Sequence, residues 1–296
     1  MPIVPYEPDL ARAVADCYNA LTAGLRHCYP VSAERLGPIL AGEHPPDRLS
    51  QHQAWVALEG SAAVGFAQAA IEAPDEHRGG PRGAIRFVGY LPGQRAAGQA
   101  LLEAAEAYLR EQSMPEVIAF HQDHRWPCYH FEHAYLTDRL THLEGLLGQN
   151  GYQRVAGEVY LDWPDFVPPE PPPTPLAAEF RREIPPGSTT RYPSFGLLAF
   201  QGDRQIGECW GESCGANAPG TAAEDWCLTA WLHIAEDCRG QGLGAHLLAR
   251  ALHEARDLGF RHAAISTSRE NWRAQLFYSN FGYRTSDWTY AWGRAL

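Results

Sequence analysis

The chain has 296 residues, enough for one large or two ordinary domains with an ample core, and its 35 acidic residues outnumber 24 basic ones, all arginine, for a net charge of −11. A chain this acidic has no electrostatic footprint for a nucleic-acid backbone or an anionic membrane surface, and neither is expected as a partner. Seven scattered cysteines with no Cys-x-x-Cys pair signal neither a zinc ribbon nor a redox couple; the expectation is reduced thiols in a cytoplasm, with no secretory leader and no apolar run long enough to span a membrane.

In chain order, Leu10, Val14, Cys17, Tyr18, Leu21 and Leu25 recur at helical spacing and predict a helix over 8–28, with a shorter, Pro-interrupted one over 32–51. Apolar runs at 55–58 and 64–71 flank a turn at Gly60-Ser61 and predict a hairpin. A Gly/Pro/charge-rich loop leads to a strand over 84–90. Then come Pro92-Gly93-Gln94-Arg95-Ala96-Ala97-Gly98, a helix carrying Leu101, Leu102, Ala105, Tyr108 and Leu109, and a strand over 116–120. His121, Asp123, His124, His130, Glu132 and His133 hold potential metal ligands, but nothing sets them on one helical face. A solvated loop or a wall facing a substrate is expected there, and no metal.

The proline-rich stretch 163–175 cannot lie in a helix interior or a central strand, and predicts a stiff, polyproline-like linker over 164–175. Beyond it, a β-prone run over 228–234 meets the turn Arg239-Gly240-Gln241-Gly242-Leu243-Gly244. The turn opens a helix with Leu243, Leu247, Leu248, Ala251, Leu252, Ala255 and Leu258 on one stripe and Gly259 at its C-cap. A strand, a glycine turn and a helix N-terminus make an anion site, because unpaired N–H groups and the positive end of a dipole meet a backbone with no side chains in the way. The absence of lysine excludes a P-loop, and the glycine order differs from a dinucleotide fingerprint.

The pattern Arg239-x-x-Gly242-x-Gly244 resembles motif A of the GNAT acyl-CoA N-acyltransferases. After a second strand over 262–267, Asn271-x-x-Ala274 followed by Phe277-Tyr278 and Gly282-Tyr283 resembles the next block of that family, in order and at the usual separation. The resemblance covers roughly residues 195–292. It implies an α/β fold (an α+β mixed sheet) and acetyl-CoA as co-substrate, with transfer to the primary amine of a small molecule. It also implies that His233, Ile234 and Ala235 pair with the pantetheine arm, that Arg239, Gly240, Gln241, Gly242, Leu243, Gly244 and Ala245 hold the pyrophosphate, and that Asn271 and Ala274 bind the cofactor too, Asn271 by bonding the pantetheine or capping the following helix. Tyr278 is then the general acid for the leaving thiolate, since a phenol gives up its proton only as charge develops.

The first half repeats this order. Val64-Gly65 echoes Ile206-Gly207, Gly98 echoes Gly244, and Asn150-Gly151-Tyr152 echoes Phe281-Gly282-Tyr283. Two tandem GNAT-like units are therefore expected, 1–163 and 176–296, as a monomer with pseudo-dimeric halves or as a homodimer. The first unit is degenerate, with Gly93 for Arg239, Ala96 for Gly242 and Leu147 for Tyr278. Its insertion over 121–140, with His124, Trp126, Tyr129 and His130, is expected to supply substrate contacts. This plan is similar to that of the mycothiol synthase family, whose catalytic Glu is replaced here by Leu228. The base therefore stays open among His233, Glu224, Asp225 and Glu208. A non-catalytic acyl-CoA-binding regulatory protein is the alternative.

Overall fold

The computed structural model describes residues 2–43, 48–74, 79–124, 126–174 and 176–296. Its contacts divide the chain into two compact units, one running to Glu158 and including Trp288–Leu296, the other Val159–Asp287.

In the first unit, strand β1 (Ile3–Pro5) is followed by helices α1 (Ala11–Thr22) and α2 (Ala33–Leu40). Strands β2 (Leu49–Glu59), β3 (Ala62–Glu72) and β4 (Arg82–Tyr90) form an antiparallel meander. Helix α3 (Arg95–Glu111) then crosses over to β5 (Glu116–Ala119), which pairs parallel to β4 from Gly83↔Val117 to Ile85↔Ala119. β6 (Leu136–Thr137), α4 (Thr141–Gln149) and the start of β7 (Gln153–Trp163) follow. β3 is buried along almost its whole length, which suits its small and apolar side chains, and both α1 and α3 pack on it.

The second unit has β8 (Glu179–Glu183), β9 (Phe195–Gln201), β10 (Arg204–Ser213) and β11 (Trp226–Ile234) in antiparallel order. Helix α5 (Leu243–Leu258) crosses to β12 (His262–Ser268), parallel to β11, before α6 (Trp272–Phe281) and the start of β13 (Arg284–Ala295). The α/β mixed-sheet class and the two-unit plan are as the sequence predicts. Among the described residues no helix is long and apolar enough to cross a membrane.

Three expectations are revised. The first concerns the boundaries: the last strand does not stay with the second unit. The end of β13 pairs with β5, from Trp292↔Ala119 to Ala295↔Glu116, so Trp288–Leu296 completes the first unit's sheet, while Val159–Trp163 of β7 belongs to the second. The second is the Pro-rich linker, whose described residues 164–174 lie outside helices and strands as expected but are held against the second unit. Pro172 O receives His246 Nδ1 at 2.8 Å and Pro169 O receives His253 Nε2 at 3.1 Å, which pins the prolines along α5. A proline segment has carbonyl acceptors but no N–H donors, so histidines seven apart on one helix face can hold it.

The third is the insertion, which is neither solvated nor a substrate wall. His124, Trp126, Tyr129 and His130 are all buried, and the Trp126 ring stacks on Phe87 (centroids 4.6 Å apart) and Phe66 (5.6 Å). His124 Nε2 lies 3.0 Å from Glu72 Oε2, which Arg82 also contacts. Burial alone would raise the Glu72 carboxyl, yet these two hydrogen bonds hold it down at about 2. Arg125 lies outside the described residues.

Candidate active site

The hairpin of β10 and β11 sets which main-chain groups are available. Its register pairs Gly207 with Ile234, Glu208 with His233 and Cys209 with Leu232. Ala235 N–H donates to Ile206 O at 2.9 Å, and hydrogen-bonded pairs alternate along an antiparallel ladder, so Glu208–His233 is the next such pair. The backbones of His233 and Ala235 are thus engaged inside the hairpin. Those of Leu232 and Ile234 point to the opposite edge.

On that edge β12 follows β11 only from Trp226↔His262 to Thr229↔Ile265. The β10 register skips Ala230, a bulge that bends β11 at this point, and beyond it the parallel pair parts. The opening is a cleft of ≈ 440 Å³. Leu232, His233 and Ile234 form one side; Cys238, Arg239, Gly240, Gly242, Gly244 and Ala245 form the end; Arg273, Ala274, Phe277 and Tyr278 of α6 form the other side.

The end of the cleft is a set of amides. Gly242 is the N-cap residue of α5 at φ +82, a left-handed conformation that costs L-residues with a Cβ about 1–2 kcal/mol. The first helical bond runs from His246 N–H to Gly242 O at 3.1 Å, so the helix does not claim the N–H groups of Leu243, Gly244 and Ala245. Arg239 Nε donates to Ile234 O at 3.0 Å, which sets an exposed guanidinium where the strand edge meets the turn. Arg273, also exposed, lines the cleft from α6. On the other side, Tyr278 is 8% exposed, its ring edge-on to Phe277 at 5.2 Å and to Tyr283 at 6.2 Å, so its aim is fixed by packing.

Of the expected site residues, His233, Ile234, Arg239, Gly240, Gly242, Gly244, Ala245, Ala274 and Tyr278 line the cleft. Four others stand behind it. Ala235 closes the hairpin, Leu243 is a core side chain, Gln241 bonds Asp237 O at 3.1 Å, and Asn271 Oδ1 caps α6 by accepting from Ala274 N–H at 3.2 Å.

Glu224 does not line the cleft. Its Oε1 accepts from Gly220 N–H at 2.9 Å in the loop before β11, whereas the cleft begins at Leu232. Asp225 pairs with Arg191 at 3.6 Å in the same region. Leu228, at the position of the family's glutamate, is a core residue 1% exposed. Neither Cys209 nor Cys227 suits a nucleophile, since burial pushes the Cys209 thiol up to about 12 and the Cys227 thiol higher still. Leu232 and Arg273 were not singled out from the sequence, and Phe277 only as part of the motif. Strand parity gives Leu232 once the hairpin register is known, and helical spacing gives Arg273 and Phe277 beside Ala274 and Tyr278.

The first unit's corresponding place is built differently. Ala96 is helical where Gly242 is left-handed: α3 begins at Arg95, and Gln94 O takes the N–H groups of Ala97 (2.9 Å) and Gly98 (3.2 Å). The Tyr90 ring lies on Gly98, where a Cβ would overlap it. His142 Nε2 lies 3.0 Å from Tyr90 O, and Tyr90 Oη donates to His142 O at 2.9 Å, so α4 is latched to the edge of β4. Leu147, opposite Tyr278 in the alignment, is fully buried.

Residues 158–283 match the Acetyltransferase (GNAT) family. No curated protein matches the chain in sequence. Among solved structures, the chain is similar to a tandem GNAT protein from the clavulanic acid biosynthesis pathway, at 15% identity and a TM-score of 0.70, over 99% of this chain and 98% of that one. It is also similar to a GCN5-related N-acetyltransferase from Sphaerobacter thermophilus, at 17% identity and a TM-score of 0.64, over 99% and 95%. A third is a GCN5-related glucosamine N-acetyltransferase region of a fungal multi-domain GH3 beta-N-acetylglucosaminidase, at 15% identity and a TM-score of 0.67, over 99% of this chain and 38% of that one.

Proposed function

We propose that the chain is a tandem GNAT-superfamily acyltransferase whose second unit transfers the acetyl group of acetyl-CoA directly to the primary amine of a small molecule. The observation that carries this reading is the cleft: a strand edge that β12 does not pair beyond Thr229, ending at unclaimed helix amides and two arginines, with a phenol on its far wall. Pantetheine, an extended chain of two amides, pairs with Leu232 and Ile234 like an added strand. The pyrophosphate meets the amides of residues 243–245 between Arg239 and Arg273.

In this reading the neutral amine attacks the thioester carbonyl carbon, the C–S bond breaks, and the Tyr278 hydroxyl gives its proton to the departing thiolate. The proton lost by the amine leaves by way of His233, an imidazole at the solvent-facing lip of the cleft. The first unit contributes structure, because its amides, strand edge and phenol position are all taken. A second reading, a non-catalytic acyl-CoA-binding protein, is favoured by Leu228 alone. Thiol release from acetyl-CoA, measured over a panel of primary amines, separates the two. Amine-dependent release supports transfer; tight binding with no release above the amine-free rate for any amine supports the second reading.

A further inference from the structure

On the outer face of the same hairpin, Glu208 and Trp210 of β10 stand opposite His233 and Trp231 of β11. The Glu208 carboxylate is held by two indoles: Oε2 accepts from Trp210 Nε1 at 2.9 Å and Oε1 from Trp231 Nε1 at 3.1 Å, with Gln205 Nε2 at 3.3 Å from Oε2. Among the described residues no arginine or histidine forms an ion pair with it. The nearest basic residue along its strand, Arg204, is committed to Asp237 by contacts of 2.7 and 2.8 Å. Trp231 is 57% exposed, a large apolar surface to leave in water, and its ring runs within 16° of parallel to that of His233, centroids 6.4 Å apart. His233 in turn lines the acyl-donor cleft.

We propose that Glu208, Trp231 and Trp210 form the acceptor subsite and select a cationic amine, the carboxylate receiving its ammonium group and the exposed indole face covering the carbons beside it. This rests on the reading of the second unit as an amine acetyltransferase. The chemistry is that of cation recognition: an anionic oxygen oriented by neutral donors keeps its charge un-neutralised, and an indole face attracts a cation within about 6 Å of its centroid. The indole N–H groups fix the carboxylate without cancelling it, whereas an arginine would have done both. The two ends of the site are then opposite in sign. Arg239 and Arg273 suit the phosphates of the donor, and Glu208 repels them and attracts the acceptor. A primary amine is cationic at neutral pH, so it is drawn to the lip in the form that dominates in solution.

The test uses the full chain with acetyl-CoA at saturation and two probes. The first is benzyltrimethylammonium, a cation that cannot be acetylated, with benzyl alcohol as its neutral counterpart, titrated while tryptophan fluorescence is followed. The second is the most reactive amine of the panel, followed by thiol release. The wild type is expected to bind the cation in preference to the alcohol, and Glu208→Gln to weaken cation binding, and to raise the KM of the amine, about tenfold or more while acetyl-CoA affinity stays unchanged. Trp231→Ala, at an exposed position, is expected to weaken cation binding with the fold intact. Equal binding of the cation by the wild type and both variants, or no preference over the alcohol, overturns the proposal. Because cation binding needs no turnover, a protein that binds the cation through Glu208 but acetylates no amine sinks the transferase reading and leaves the subsite standing.

Discussion

Tyr278 is placed by packing rather than by any feature of its own side chain. Phe277 and Tyr283 hold its ring, and the same helix face carries Ala274 and Arg273 into the cleft. Removal of the hydroxyl therefore takes away the proposed proton donor without moving the wall. For Tyr278→Phe, kcat is expected to fall by about 10² to 10⁴ with acetyl-CoA affinity unchanged, checked by steady-state thiol release beside equilibrium binding. A variant that binds normally and turns over at the wild-type rate shows that the thiolate is protonated by another group. The place of Tyr278 on the cleft wall was legible in the sequence because its motif is local. Glu224 was misplaced because nearness in sequence to β11 says nothing about which end of the strand a loop occupies, and its carboxylate is used on Gly220 N–H.

At the scale of the element, the contrast between the turns before α3 and α5 separates the two halves. With Gly242 in the left-handed region, α5 starts late and keeps three amides for a ligand; with Ala96 helical, α3 starts early and Gln94 O takes two of the equivalent groups. A Cβ on Gly242 would meet Pro173 O at 3.5 Å, an ordinary contact, so the cost of a side chain there is conformational rather than steric. Gly242→Ala is thus expected to lower stability by about 1–2 kcal/mol and to weaken acetyl-CoA binding as the first turn of α5 shifts. Thermal melts and calorimetric titration check both; unchanged affinity in a folded variant removes the turn from the binding site. The strand, turn and helix here were readable from glycine spacing and a 3.6-residue stripe. The splay of β11 from β12 was not, because it depends on the bulge at Ala230 and on the point where a parallel register ends, and neither leaves a mark on local composition.

For the whole molecule, the repeat was visible in its glycines and aromatic pairs, yet its boundaries were not. Nothing in 284–295 says that its final residues pair with β5, since an alternating strand fits any sheet with an open edge of the right register. The insertion misled for a related reason: four histidines and two carboxylates read as polar, although Trp126, Tyr129 and Cys128 among them are what the core of the first unit takes in. Glu72, distant in sequence and itself paired with Arg82, takes His124 Nε2 and makes that burial tolerable. Under the proposed function the consequence is a division of labour in which one half holds the donor cleft and the other has closed the corresponding place.

That division is tested most directly by titrating acetyl-CoA onto the full chain and counting sites by calorimetry. The account predicts one site per chain, lost in the variant that combines Arg239→Glu with Arg273→Glu, since two carboxylates at the end of the cleft repel the pyrophosphate. Two sites per chain, or one site that survives the double charge reversal in a folded protein, would contradict it.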